Sequence, residues 1–246
     1  MLETVNRPQA LAREDYKRRL PDLQRRLLDL QRVTHTGGIG SLIVFEGWRT
    51  SGQASAIKKV TERLEPRGFT LHSIQEPRTY ESRLPWMWRF WCRIPRRGEM
   101  AIFHRSWYSE LVEQRLKESI DRARWLRKCR DIRFFEDALA NDRCLVIKLF
   151  LHISREEQRR RLDKIASNPD TEWLLAEDEW ERHELYDSRR TVIEETLQQT
   201  EAEWGSWSLI NTTDRNWARI RVFETLIREM EEGLERFGVS IEDSEV

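Results

Sequence analysis

The stretch Leu42-Ile43-Val44-Phe45-Glu46-Gly47-Trp48-Arg49-Thr50-Ser51-Gly52-Gln53-Ala54-Ser55 constrains the fold of this chain more than any other. Its four leading apolar residues read as a buried strand. Two glycines five positions apart read as a loop, and the residues after Gly52 read as the start of a helix. Strand, glycine loop and helix in this order frame a phosphate-binding P-loop. In such a loop, backbone N–H groups and the helix N-terminus cradle phosphate oxygens. The pattern calls for lysine directly after the second glycine, and Gln53 stands there instead. The frame predicts a phosphate site, and the residue within it predicts weakened chemistry.

Around this loop, apolar spacing predicts strands near 41–46, 69–74, 100–103, 144–153 and 208–210. Helices are expected over 21–36, 54–64, 84–91, 109–130, 132–141, 172–200 and 216–237. Pro21 suits the first turn of the first of these, where a missing N–H costs nothing. Ser154 with Glu157 three residues on predicts a capping box that starts another helix. Strands alternating with helices argue for an α/β fold, a mostly parallel sheet with helices on both faces. Domain organisation is read as a flexible arm over 1–19, one domain over 20–237 and an acidic tail over 238–246. Within the domain, the charge-rich segment 168–200 is expected to form a helical lid. Trp86, Trp88 and Trp91 are expected to pack in the core.

Lys+Arg and Asp+Glu each number 43, so the net charge is zero. No global basic field then draws the chain to nucleic acid, which is not expected as a partner. The longest apolar runs are far too short to span a membrane. Met1 to Arg7 has no apolar signal core, so a cytoplasmic location is expected. Cys92, Cys129 and Cys144 are scattered and lack ligand spacing, as do His35, His72, His152 and His183, so no metal site is assigned from these residues. Arg159-Arg160-Arg161 reads as a solvated helix face.

Further segments follow in order: Ile57-Lys58-Lys59, Leu64-Glu65-Pro66-Arg67-Gly68, Trp88-Arg89-Phe90-Trp91, Pro95-Arg96-Arg97-Gly98, Phe103-His104-Arg105-Ser106-Trp107-Tyr108, Phe134-Phe135-Glu136, Lys148 to Ser154, and Glu157-Gln158. With Phe45-Glu46-Gly47-Trp48 they span about residues 20–237. Together they resemble the polyphosphate kinase type 2 family, P-loop phosphotransferases that move phosphoryl groups between inorganic polyphosphate and nucleotides. The chain is similar to one half of the tandem two-domain members, in which one half is often catalytically degenerate. The resemblance implies a P-loop NTPase-like sheet with a helical lid, dimers or tetramers, and Mg²⁺ if the protein is active. It also implies phosphate binding by Gly47, Gly52, Gln53, Ala54 and Ser55, and a polyphosphate groove lined by Lys58, Lys59, Arg67, Arg93, Arg96 and Arg97.

Five departures stand out against the family pattern, whose loop usually reads Gly-x-Asp-x-x-Gly-Lys-Gly. Arg49 replaces the acid, Gln53 the lysine and Ala54 the following glycine. His104 stands where an aspartate usually precedes Arg-Ser-Trp-Tyr, and Trp173-Leu174 where the lid usually offers tryptophan and lysine. Removing one preorganised donor from such a site costs ~10²–10³ in rate. Mg²⁺ requires oxygen ligands, whereas His104 offers nitrogen. Arg49 repels a divalent cation by several kcal/mol at ~4 Å and an effective dielectric of ~20. Glu46, just before the loop, is expected to brace the backbone. The catalytic positions of the family thus fall on Arg49, Gln53, His104 and Arg105. Arg49 and Arg105 can themselves neutralise phosphate oxygens without a metal.

Two functions follow from this pattern. The first is a non-catalytic pseudokinase, an anion-binding or regulatory subunit that forms homo-oligomers or pairs with an active homologue. The second is an active or weakly active polyphosphate:nucleotide (AMP/ADP) phosphotransferase with a rearranged site.

Overall fold

The computed structural model describes residues 2–5 and 9–241. Five strands form one parallel sheet: β1 (Gly40–Gly47), β2 (Phe69–Ser73), β3 (Met100–His104), β4 (Cys144–His152) and β5 (Trp207–Asn211). Their order is β2-β3-β1-β4-β5. β1 and β4 lie at the centre and are buried almost throughout, as continuous Val/Ile/Leu-rich runs predict for a sheet covered on both faces. The expected mostly parallel sheet is parallel in every pairing observed.

On one face pack α1 (Arg13–Thr36), α2 (Gln53–Thr61) and α9 (Arg215–Arg236). The other carries the short α3 (Trp88–Trp91), α4 (Trp107–Leu116), α5 (Arg122–Asn141) and α8 (Tyr186–Gln199). Two further helices, α6 (Arg155–Ala166) and α7 (Glu179–Glu184), lie between β4 and α8 in sequence. Ser154 caps α6 by accepting from the Glu157 N–H at 3.2 Å. Cys129 and Cys144 are buried, and burial pushes both thiols up to about 12. No helix among the described residues is long and apolar enough to cross a membrane.

Several boundaries differ from expectation for physical reasons. Helix α1 begins at Arg13, so Pro21 lies inside it and not in its first turn. Leu27 and Leu30 sit in the core formed with α9, and Arg19 and Arg26 pair with Glu224 and Glu231. These contacts on both sides of the proline hold the helix in line against a local cost of ~3 kcal/mol. Nor is the arm loose throughout. Leu2 is buried, its N–H donates to Glu194 at 2.7 Å, and the Val5 carbonyl accepts from Asn211 at 2.8 Å. The break expected at Asp131 falls instead at 117–121, where Asp121 caps α5 through the Arg124 N–H. Trp88 and Trp91 remain exposed and Trp86 partly so, while Phe90 between them fills the core. Of the acidic tail, residues 242–246 lie outside the described residues.

A buried polar network ties β4 to the helices above it. Lys148 is fully buried and donates to Glu136 at 3.0 Å and to the Thr200 carbonyl at 2.8 Å. Trp107 and Tyr108 both donate to the second oxygen of Glu136. With its partners in place, the burial of two charges here is compensated.

Candidate functional site

At the C-terminal edge of the sheet, β1 turns through the glycine loop into α2. Gly47 has φ +147°, and a Cβ there would collide with the Leu151 carbonyl of β4. That close approach lets the Trp48 N–H reach the Leu151 carbonyl at 3.2 Å. The Trp48 ring stacks on Tyr186 of α8 with centroids 4.0 Å apart, and its indole N–H donates to His152 Nδ1 at 2.9 Å. Gly52 has φ +95° and caps α2 without a side-chain bond, so the first N–H groups of the helix face the loop unpaired. Thr50 and Arg105 also take φ of +63°, a strained region for such residues that clusters at functional sites.

Gln53 is buried under the loop. Its amide N–H₂ lies 3.5 Å from the Trp48 carbonyl, at the limit of a hydrogen bond, and its Oε1 has no partner. The Thr50 and Ser51 hydroxyls are likewise buried without partners. Where a lysine would extend a cation, the loop here is filled by a neutral amide. Ser55 accepts from Arg219 of α9 at 2.7 Å, and Ala54 is exposed.

A cavity of about 300 Å³ opens beside the loop, between β1, α4 and the segment leading to α8. Gly47, Arg49 and Arg105 line it, together with Glu46, Glu113, Glu179, Arg182 and Arg189. Phe150, Ile193 and Trp207 give it an apolar floor. Arg49 pairs with Glu179 of α7, whose side chain is only 4% exposed. Burial raises the Glu179 pKa, against the opposing pull of Arg49. Glu113 of α4 accepts from Arg182 at 2.9 Å and from Arg189 at 2.6 Å. Burial pushes the Glu113 carboxyl up, but these two arginines outweigh it and hold the group below its ordinary value. Three charge contacts therefore fasten α7 and α8 to the loop and α4.

Arg105 stands apart. It lines the same cavity, yet among the described residues its guanidinium has no ion pair or hydrogen bond. Burial first, and then the neighbouring Arg49 cation, push its pKa down. It stays charged, since arginine does not lose its proton in proteins. An unpaired, half-buried cation of this kind calls for an anion.

Glu46 does brace its surroundings, as expected, but through α4. It accepts from the Ser106 hydroxyl at 2.8 Å, the Ser109 hydroxyl at 2.6 Å and the Ser109 N–H at 3.2 Å. Burial raises its pKa, opposed by these bonds and by Arg105. The donor set does not fit Mg²⁺. The Glu46 oxygens are taken, Glu113 and Glu179 are bound to arginines, Glu110 faces Arg89 at 3.7 Å, and four guanidinium groups share the space with the remaining carboxylate, Glu76. His104 precedes Arg105 but does not line the cavity; burial and then Arg105 lower its pKa. Among the described residues no group of three His, Cys, Asp or Glu side chains is placed to hold a metal.

The six groove residues are dispersed. Lys58 and Lys59 lie on α2, on the opposite face of the sheet from α4, and Lys59 pairs with Glu62. Arg67, Arg96 and Arg97 precede β2 and β3, at the end of the sheet away from the loop. They pair with Glu65, Glu99 and Asp142. Arg93 sits beside the β2 edge and pairs with Glu81 at 3.0 Å. At the lid, Trp173 is exposed and donates to the Asp170 carbonyl, while the Leu174 side chain lies outside the described residues. Helix α8 buries Ile193 and Leu197, so the overhanging part of the lid is confined to about 168–185.

Arg161 corrects the reading of its triplet. Arg159 and Arg160 face solvent, but Arg161 is 5% exposed. It donates to the carbonyls of Thr50 at 2.8 Å and Thr213 at 3.2 Å, stapling the loop to the end of β5. Sequence reasoning also missed Glu113, Glu179, Arg182 and Arg189. For the last three the only signal was the charge density of 168–200, which does not say which charges meet, and Glu113 on α4 gave none.

The sequence model of the polyphosphate kinase 2 (PPK2) family matches residues 10–237. The polyphosphate:AMP phosphotransferase of Pseudomonas syringae pv. tomato is 30% identical over 236 residues, covering 96% of this chain and 47% of that protein. The AMP/ADP-polyphosphate phosphotransferase of Meiothermus ruber is 32% identical over 213 residues, covering 86% of this chain and 79% of that protein. A crystal structure of a putative polyphosphate kinase 2 from Pseudomonas aeruginosa superposes with a TM-score of 0.89 at 30% identity, over 93% of this chain and 50% of that one. The chain thus spans about half the length of some relatives and most of another. These names lie closer to the second function expected from sequence, an active phosphotransferase, than to a non-catalytic subunit.

Two outcomes follow from the geometry. Replacing Glu179 with glutamine removes the carboxylate that competes for Arg49. Tripolyphosphate affinity, followed by calorimetry, is expected to rise by on the order of tenfold, as for loss of one charge-assisted bond; an unchanged affinity would show that Arg49 takes no part. His152, whose pKa burial lowers to about 4, stabilises the fold fully above its unfolded value of 6.5. That stability is lost as pH falls from 6.5 to about 4, on the order of 3 kcal/mol. Thermal melts should show wild type losing more stability across this window than His152→Gln; parallel losses would exclude the assignment.

Proposed function

This chain belongs to the polyphosphate kinase 2 family, and from that premise we propose that its cleft grips phosphate oxygens of inorganic polyphosphate and of AMP or ADP with arginine, and transfers phosphoryl groups between them slowly. The observation that carries this reading is Arg105. Of the four arginines in the cavity it alone is unpaired among the described residues, and it sits beside a loop whose helix N–H groups also face outward. A guanidinium presents a planar fork that matches phosphate oxygens. The polyphosphate and the adenine nucleotides enter from the names of the relatives, one of which is matched over most of its length.

Phosphoryl transfer asks little covalent chemistry of a protein and much positioning and charge stabilisation. The loop N–H groups and Arg105 can hold the phosphate undergoing transfer, and Arg49 joins them when Glu179 releases it. The apolar floor of Phe150, Ile193 and Trp207 suits a nucleoside. Gln53 supplies no charge, so a deficit of ~10²–10³ against a loop with lysine is expected.

A second reading keeps binding and drops turnover, with the chain acting as a regulatory subunit beside an active homologue. It is favoured by the Arg49–Glu179 pair, which places opposite charges in contact where the family pattern has an acid.

A transfer assay separates the two readings. Purified protein with polyphosphate and AMP or ADP, with and without Mg²⁺, is expected to give slow formation of the higher nucleotide. The combined variant Arg49→Asp, Gln53→Lys and His104→Asp is expected to be faster by about 10² or more in Mg²⁺. No product from folded wild-type protein would refute transfer and leave the regulatory reading.

A further inference from the structure

Most charged helices of this protein neutralise their own arginines. On α1, Arg18, Arg25 and Arg32 pair with Asp15, Asp22 and Asp29. On α6, Arg159 pairs with Asp163, and on α9, Arg221 pairs with Glu224. Helix α5 breaks this habit. Arg124, Arg127, Arg130 and Arg133 are all exposed, and among the described residues none has an ion pair. Asp131 lies four residues from Arg127 and Asp137 four from Arg133, yet neither pair forms. Asp131 instead accepts from the Trp86 indole N–H at 3.4 Å.

These arginines form a track. Each three-residue step along a helix advances about 4.5 Å and turns back by about 60°. Arg124 to Arg133 therefore climbs roughly 14 Å while crossing the exposed side of α5 from one flank to the other, with Arg127 and Arg130 outermost. At its upper end Arg122 pairs with Glu195 of α8, close to the elements that bound the cleft. At the far end of α5, about 14 Å beyond Arg133 along the axis, Arg97 pairs at 2.7 Å with Asp142, the residue that ends the helix. Four unpaired arginines on one helix attract and hold a flexible polyanion, through charge-assisted bonds that salt weakens.

We propose that the outer face of α5 is a docking surface for long-chain inorganic polyphosphate, distinct from the cleft and feeding it. The inference rests on the reading of the cleft as a polyphosphate site, since that reading identifies the polyanion. Exposed aromatics also border the track. Phe134 is 72% exposed on the same helix, and Trp91 packs edge-on against Phe135. Arginine interleaved with aromatics can also hold single-stranded nucleic acid. Polyphosphate is favoured because it needs only charge, and because the track leads to a cleft that takes phosphate.

The test compares binding of long-chain polyphosphate and of tripolyphosphate, at low and high salt, to wild type and to the double variant Arg127→Glu, Arg130→Glu. Both positions are exposed, so the fold should stand, and circular dichroism checks it. Long-chain affinity is expected to fall on the order of tenfold or more at low salt, with tripolyphosphate affinity unchanged. If wild type binds tripolyphosphate and the variant keeps full long-chain affinity, the docking surface is refuted and the cleft reading survives. If wild type binds the long chain through α5 but not tripolyphosphate, the cleft reading fails and the surface stands. A single-stranded oligonucleotide that binds α5 more tightly than polyphosphate would overturn the assignment of its partner.

Discussion

The site depends on the close approach of β1 and β4 at Gly47. With no side chain in the way, the β1 strand reaches the Leu151 carbonyl, and Trp48 is delivered onto His152 and Tyr186. Everything above follows from that contact. The loop begins at a fixed height over the sheet, Tyr186 holds the start of α8 against it, and the cavity opens between them. Arg161 then fixes the far side of the loop through the Thr50 carbonyl. A larger residue at position 47 would push the two central strands apart, with the loop and lid following.

On this scaffold the charges are arranged unusually for a phosphate site. The position that would carry a cation holds a neutral amide, and the position that would carry an acid holds Arg49. The structure balances the swap locally, because Glu179 comes from α7 to meet Arg49 and Glu113 gathers Arg182 and Arg189. Arg105 is left as the unpaired arginine of the cavity among the described residues. Substitution of the loop has therefore redistributed positive charge from lysine to arginine, without emptying the site of cations.

Much of the fold was legible in the sequence. The apolar run at 42–45 and the partly alternating stretch 144–153 both read as strands, and the glycine spacing located the turn. Ser154 announced the start of α6 through a local hydrogen bond. Where reading failed, the deciding contacts were distant in sequence. Pro21 sits inside α1 because α9 holds both sides of it. Trp88 and Trp91 stay exposed because Met87 and Phe90 are the residues of that stretch turned into the core. The substitutions at Arg49 and Gln53 were visible at once, but the partner of Arg49 lies 130 residues away on a short helix without strong periodicity. Arg161 looked like one of three solvated neighbours, and only the fold shows which of them turns inward.

The central claim is that guanidinium groups grip phosphate here in place of lysine and metal. Calorimetric titration of tripolyphosphate into wild type and Arg105→Met, with EDTA present, tests it most directly. The account predicts measurable binding to wild type without divalent cations and a loss of at least tenfold in the variant, as expected for removing a charged partner. Binding that requires Mg²⁺, or that survives intact in Arg105→Met, would contradict it.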